Sequence, residues 1–191
     1  MLVLTWGTVV GCGMAAMIDY SATAGPVAQA EAQWPNGSTL SRSDERFTLL
    51  MFVHPQCPCS RASVGELAEL MAGSQKILTA KVIVLAPTGW SITQVQTDIW
   101  RSAAEIPGVT VQMDPDGVEA HRFGALTSGQ VLLYDPQGQL SFRGGITGAR
   151  GHFGSNVGRS AVTSLIGDQQ SGAVPTQCPV FGCPLFPTSQ Q

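Results

Sequence analysis

Two short apolar runs constrain this chain most. They are FTLLMFV at residues 47–53 and AKVIVLA at residues 80–86, and each is followed by a segment with helical spacing. Neither run alternates regularly between apolar and polar residues, which is the pattern of a strand buried on both faces. Behind the first, Val64, Leu67, Ala68 and Met71 share one helix face, and Gly73 offers a stop. Behind the second, Pro87 ends the strand and Ser91 can cap one helix carrying Ile92, Val95, Ile99, Trp100 and Ala103 along a side. VTVQM reads as a third strand, DPDG as a turn and VEAHRFGA as a brief helix. QVLLYDPQGQLSFRGGI reads as a hairpin turning at residues 136–138, and a last helix is expected over 156–166. Strands that alternate with helices before a closing hairpin predict a three-layer α/β/α sandwich with a mixed central sheet.

The chain divides by composition into a hydrophobic segment at 1–18, a linker at 19–44, the α/β domain at 45–167 and a Pro-rich, Cys-containing tail at 168–191. The first eighteen residues carry no charge, near the length that spans a bilayer. They read as a membrane anchor, with a cleaved signal or lipid attachment at Cys12 as the alternatives. Each of these holds the domain on the extracytoplasmic, periplasmic side. The Ala/Ser/Pro/Gly composition of the linker predicts flexibility. A net charge of −3 without any basic cluster excludes a nucleic-acid surface.

The chemistry concentrates in HPQCPCSRAS, where a buried strand meets a helix start. A helix N-terminus presents free N–H groups and the positive end of its dipole, so a thiolate there is stabilised. Cys57 is expected there, ionised and accessible, with Arg61 and a protonated His54 adding positive charge. Cys59 lies one residue from it, so a disulfide between them is strained and labile. Cys178 and Cys183 in CPVFGCP are the other candidates, as a resolving pair or as a structural tail disulfide. Soft thiolates beside imidazole also suit copper or zinc, with Cys57, Cys59 and His152 as the candidate ligands. Otherwise no cofactor is expected. The glycine-rich 144–154 stretch with Arg143, Arg150 and Arg159 reads as a flexible cationic loop.

The element order and the thiol motif resemble the thioredoxin-like superfamily, in particular its membrane-tethered oxidoreductases. HPQCPCSRAS, FGALTSGQVLLYD, GGITGARGH and VFGCPL are similar to its small RedB group. The resemblance covers about residues 45–167. It implies a first family cysteine at Cys57, a second position taken by Ser60, and Gly129 at the cis-proline position. Thr127, Ser128 and Gly129 would then form the loop where substrate backbone docks. The implied activity is thiol–disulfide exchange on protein thiols or disulfides. A metal-handling thioredoxin fold and a binding module without turnover are the alternatives, the latter favoured by the missing second cysteine and the missing proline.

Overall fold

In a computed structural model, residues 2–167 and 174–187 are described. Five strands form one mixed sheet in the order β3-β2-β1-β4-β5. They are β1 (Phe47–Val53), β2 (Leu78–Ala86), β3 (Val109–Pro115), β4 (Gln130–Tyr134) and β5 (Leu140–Gly144). β1, β2 and β3 run parallel, while β4 and β5 run antiparallel to their neighbours. Because side chains alternate along a strand, central β1 supplies both layers. Leu49, Met51 and Val53 join one apolar cluster, and Leu50 and Phe52 join the other. The first cluster packs against α2 (Ser60–Ser74), α4 (Asp98–Ala104) and α6 (Val157–Ile166). The second is covered by α5 (Val118–Arg122), Trp34 and the tail residues Leu185 and Phe186. This is a thioredoxin-like α/β fold, preceded by the apolar helix α1 (Leu2–Ala22). Within it, Val3–Ala22 is long and apolar enough to cross a membrane.

The structure corrects three expectations. The single helix expected from Ser91 is two, α3 (Ile92–Val95) and α4, because Thr97 in extended conformation starts a new N-terminus. The linker is laid on the domain rather than loose. Trp34 packs edge-on against Phe123 and Tyr134 at 5.1 and 5.0 Å, and Leu140 N–H donates to Ala32 O. The glycine-rich loop is likewise fixed. Glu66, buried on α2, accepts from Gly154 N–H at 2.5 Å and pairs with Arg159 at 3.1 Å.

The described part of the tail is held as well. Cys178 N–H donates to Arg143 O, Gly145 N–H to Pro179 O and Gly25 N–H to Val180 O. The tail therefore runs from β5 across the C-terminal ends of the parallel strands toward the start of β4. It arrives at the thiol motif.

Candidate active site

After β1 the chain turns tightly. Cys57 N–H donates to His54 O, and the N–H groups of Ser60, Arg61 and Ala62 donate to the carbonyls of Cys57, Pro58 and Cys59. Pro58 costs no bond there, since the first helical turn has donors to spare. This places Cys57 and Cys59 at the N-terminus of α2. The third sulfur comes from the tail: Sγ atoms of Cys57, Cys59 and Cys183 all lie within 4.8 Å of one another. Cys183 N–H points at Cys57 Sγ at 3.4 Å. All five cysteines are free thiols.

A chain of hydroxyls supports Cys57 from beneath. His54 N–H donates to Ser128 Oγ at 2.7 Å, and Ser128 Oγ lies 2.7 Å from Ser60 Oγ. A hydroxyl has one proton to give. The assignment that satisfies every group runs from His54 N–H through Ser128 and Ser60 to Cys57 Sγ. Burial by itself would push the Cys57 thiol up. Hydrogen bonds from the Cys183 side chain and backbone, the Ser60 hydroxyl and the Cys59 backbone outweigh it and hold Cys57 below the ordinary thiol value. Cys59 is raised by burial and then by the charge of Cys57, against the pull of Arg150. Cys183 is pushed up to about 12 by burial and by its hydrogen bond to Cys57. One sulfur thus ionises easily and two resist, the division of roles a nucleophile and its partners need.

The sequence-derived residues fall out as follows. Cys57, Cys59, Ser60, Ser128 and Cys183 come together. Arg61 does not. Its exposed guanidinium is bound to Asp98 at 2.5 Å, because residue 61 lies a turn beyond Cys57 on the outward face of α2. The cation near the sulfurs is Arg150, whose guanidinium donates to Gly182 O and Tyr20 O and lies over the Tyr20 ring. Cys178 sits in the first apolar cluster instead, and its thiol is raised by burial. His152 is exposed and outside the sulfur group, so the third thiolate ligand available is Cys183. His54 contributes its backbone N–H. Its ring meets Trp90 edge-on at 5.7 Å, and burial lowers its pKa, disfavouring the protonated form that would supply charge.

Cys57 is also not accessible as expected: it is 1% exposed, roofed by the tail. Residues 183–185 pair antiparallel with the loop at 126–128. Ser128 N–H donates to Cys183 O, Leu185 N–H to Leu126 O, and Thr127 faces Pro184. Gly129 takes φ +89°, a left-handed angle suited to glycine, and a Cβ there would lie 2.7 Å from Ser63 Oγ. Ser63 therefore fills the space beside Gly129.

No protein-family model matches the chain, and no curated protein matches it. Solved structures do. A hypothetical protein of Sinorhizobium meliloti matches at TM-score 0.58 and 22% identity, covering 85% of this chain and 93% of that one. An uncharacterized conserved protein from Geobacillus kaustophilus matches at TM-score 0.58 and 18% identity, over 86% and 92%. A secreted disulfide oxidoreductase of Mycobacterium tuberculosis matches at TM-score 0.46 and 16% identity, over 64% and 81%. At these identities the likeness is one of fold. The fold is thioredoxin-like, and the reaction has to be argued from the sulfurs themselves.

What the sequence reading left out is the hydrogen bonding of Ser128 beneath Cys57 and the approach of Arg150 to the sulfurs. Arg150 stood in the cationic loop without a partner on the page. An odd separation was the unused clue for the tail, since residues five apart on an extended segment face opposite sides. Cys178 and Cys183 therefore serve different surroundings.

Proposed function

We propose that the protein is a membrane-tethered, extracytoplasmic thiol–disulfide oxidoreductase acting on protein cysteines, with Cys57 as nucleophile and Cys183 as resolving thiol. The carrying observation is the trio of sulfurs in which Cys57 alone is lowered while Cys183, beside it, stays protonated. Cys57 thiolate attacks a partner disulfide, forming a mixed disulfide and releasing the partner's other sulfur as a thiolate. Cys183, on losing its proton, attacks Cys57 Sγ. The Cys57–Cys183 disulfide forms and the partner leaves as a dithiol, so the partner gains the two electrons this chain loses. Cys59 is the less suited resolver, because one intervening residue strains its ring with Cys57. The apolar α1 and the likeness of the motifs to the RedB group support the location.

The test is trapping. Cys183→Ser should accumulate the mixed disulfide with a model protein disulfide, while Cys59→Ser should turn over. Accumulation only in Cys59→Ser would reassign the resolving role. A Cys57 thiol that reacts with a small disulfide no faster than an unfolded cysteine would end the redox reading.

The same cluster supports a second reading, soft-metal binding by Cys57, Cys59 and Cys183. Zinc–sulfur bonds near 2.3 Å require sulfur separations of about 4 Å, compatible with three sulfurs that all lie within 4.8 Å of one another. Copper(I) suits three thiolates equally. Anaerobic copper(I) titration should then lose its tight site in Cys183→Ser, whereas His152→Ala should leave it unchanged.

A further inference from the structure

The roof over Cys57 has the form of a bound peptide. Residues 183–185 pair with the loop at 126–128 and bring a cysteine to the nucleophile. Each position meets a distinct demand. Gly182 is buried, and a Cβ on it would lie 1.9 Å from Ser128 O, so only glycine lies this close to the loop. Cys183 gives its own N–H to Cys57 Sγ. Pro184 sits where no ladder bond is needed, because Cys183 O and Leu185 N carry the pairing on either side of it. Leu185 and Phe186 enter the second apolar cluster, where the Phe186 ring stacks on His121 at 3.8 Å and rests on Gly117. Beside them lies a cavity of about 540 Å³ lined in part by His54, Leu85, Trp90 and Asp116.

We infer that the tail is a resident stand-in for the protein's substrate: an extended Gly-Cys segment followed, two and three residues after the cysteine, by an apolar and an aromatic side chain. This rests on the thiol-exchange reading and adds to it both a substrate class and a closed state. A partner strand replaces residues 182–186 on the loop, presents its sulfur to Cys57 and buries its own apolar pair in the vacated pocket. Until then the tail keeps Cys57 covered.

The experiment uses the detergent-solubilised full chain and a synthetic peptide of sequence VFGCPLF whose cysteine is capped as a disulfide with thionitrobenzoate. Cys57 thiolate attacks the peptide sulfur, the peptide–Cys57 disulfide forms, and thionitrobenzoate leaves as a coloured thiolate. The substitution Gly182→Val lifts the tail by collision with Ser128 O. In that variant the peptide should react at least about tenfold faster than a scrambled peptide with Leu and Phe moved ahead of the cysteine, the discrimination apolar side chains give in a pocket. Wild-type protein should react more slowly than the variant with either. Equal rates for the two peptides, with rapid reaction of Cys57 toward a small disulfide, would overturn the inference and leave the exchange reading standing. No reaction of Cys57 toward the small disulfide would overturn both. Should Gly182→Val not fold, amide exchange in Cys183→Ser protein carrying the trapped peptide on Cys57 decides. Leu185 N–H should lose protection while Ser128 N–H keeps it, and unchanged protection at Leu185 would overturn the inference.

Discussion

Replacing Phe186 with alanine isolates the hold of the tail. Its ring is buried, stacked on His121 and seated on Gly117, and it is lost from the pocket whenever the tail lifts. Buried Phe→Ala substitutions cost about 3–5 kcal/mol. The lower end applies here, since Phe186 lies at the edge of its cluster, on a segment that enters from outside the sheet. The closed state should therefore lose about 3 kcal/mol against the open one, which raises the open fraction by about two orders of magnitude. Labelling of Cys57 by iodoacetamide, followed by mass spectrometry of the motif peptide, reads that fraction as long as reclosing outpaces alkylation. Phe186→Ala should label about 100-fold faster than wild type. Met71→Ala, a comparable deletion in the opposite cluster, is the control. It should lower the melting temperature without changing the labelling rate, because Met71 stays buried when the tail opens. If Phe186→Ala labelled within about threefold of wild type, or if Met71→Ala matched it, local opening would not be the route to Cys57.

Three further outcomes are expected. Ser60→Ala removes the last hydroxyl of the donor chain, so the pH at which Cys57 labelling reaches half its maximum should rise; an unchanged midpoint would remove Ser60 from the stabilisation of the thiolate. Arg61→Ala should alter Cys57 labelling by less than about twofold, since its charge is exposed, screened and paired with Asp98. Reduced protein should lose thermal stability as pH climbs from near 9 toward 12. Cys183 is pushed up to about 12 by burial and by its bond to Cys57, so the unfolded chain releases that proton first and gains from alkali. Cys59 and Cys178, also raised, act in the same direction, while the gain from lowered Cys57 falls at lower pH and is complete near 9. Melting curves of wild type and Cys183→Ser across that range should show the variant falling less.

What could be read in the chain was what local pattern decides. β1 and β2 announce themselves through apolar runs that only a sheet covered on both faces can use. The start of α2 follows from Pro58 and the spacing of Val64, Leu67 and Met71. What could not be read depends on contacts between distant residues. The 23–44 segment has the composition of a linker, yet backbone bonds, the side chains of Trp34 and buried Leu40, and the hydrogen bonds of Ser38 and Thr39 to Glu119 hold it. The approach of Cys183 depends on Gly144, Gly145 and Gly182, which lack the Cβ atoms that would keep the tail off the sheet. Arg61 misled because nearness in sequence to Cys57 ignored the direction of a helical side chain. Arg150 was overlooked because its role comes from Tyr20, far behind it in the chain.

That last link bears on how the molecule is handled. Arg150 joins Tyr20 and, through its backbone N–H, Ser21 at the end of the first helix to Gly182, the neighbour of a reactive sulfur. Shortened versions that begin after residue 22, prepared for convenience or trimmed in the cell, give up one of the two sides Arg150 braces. Such a fragment would start from a looser tail than its parent, and labelling rates measured on it would overstate how often Cys57 is uncovered in the intact protein.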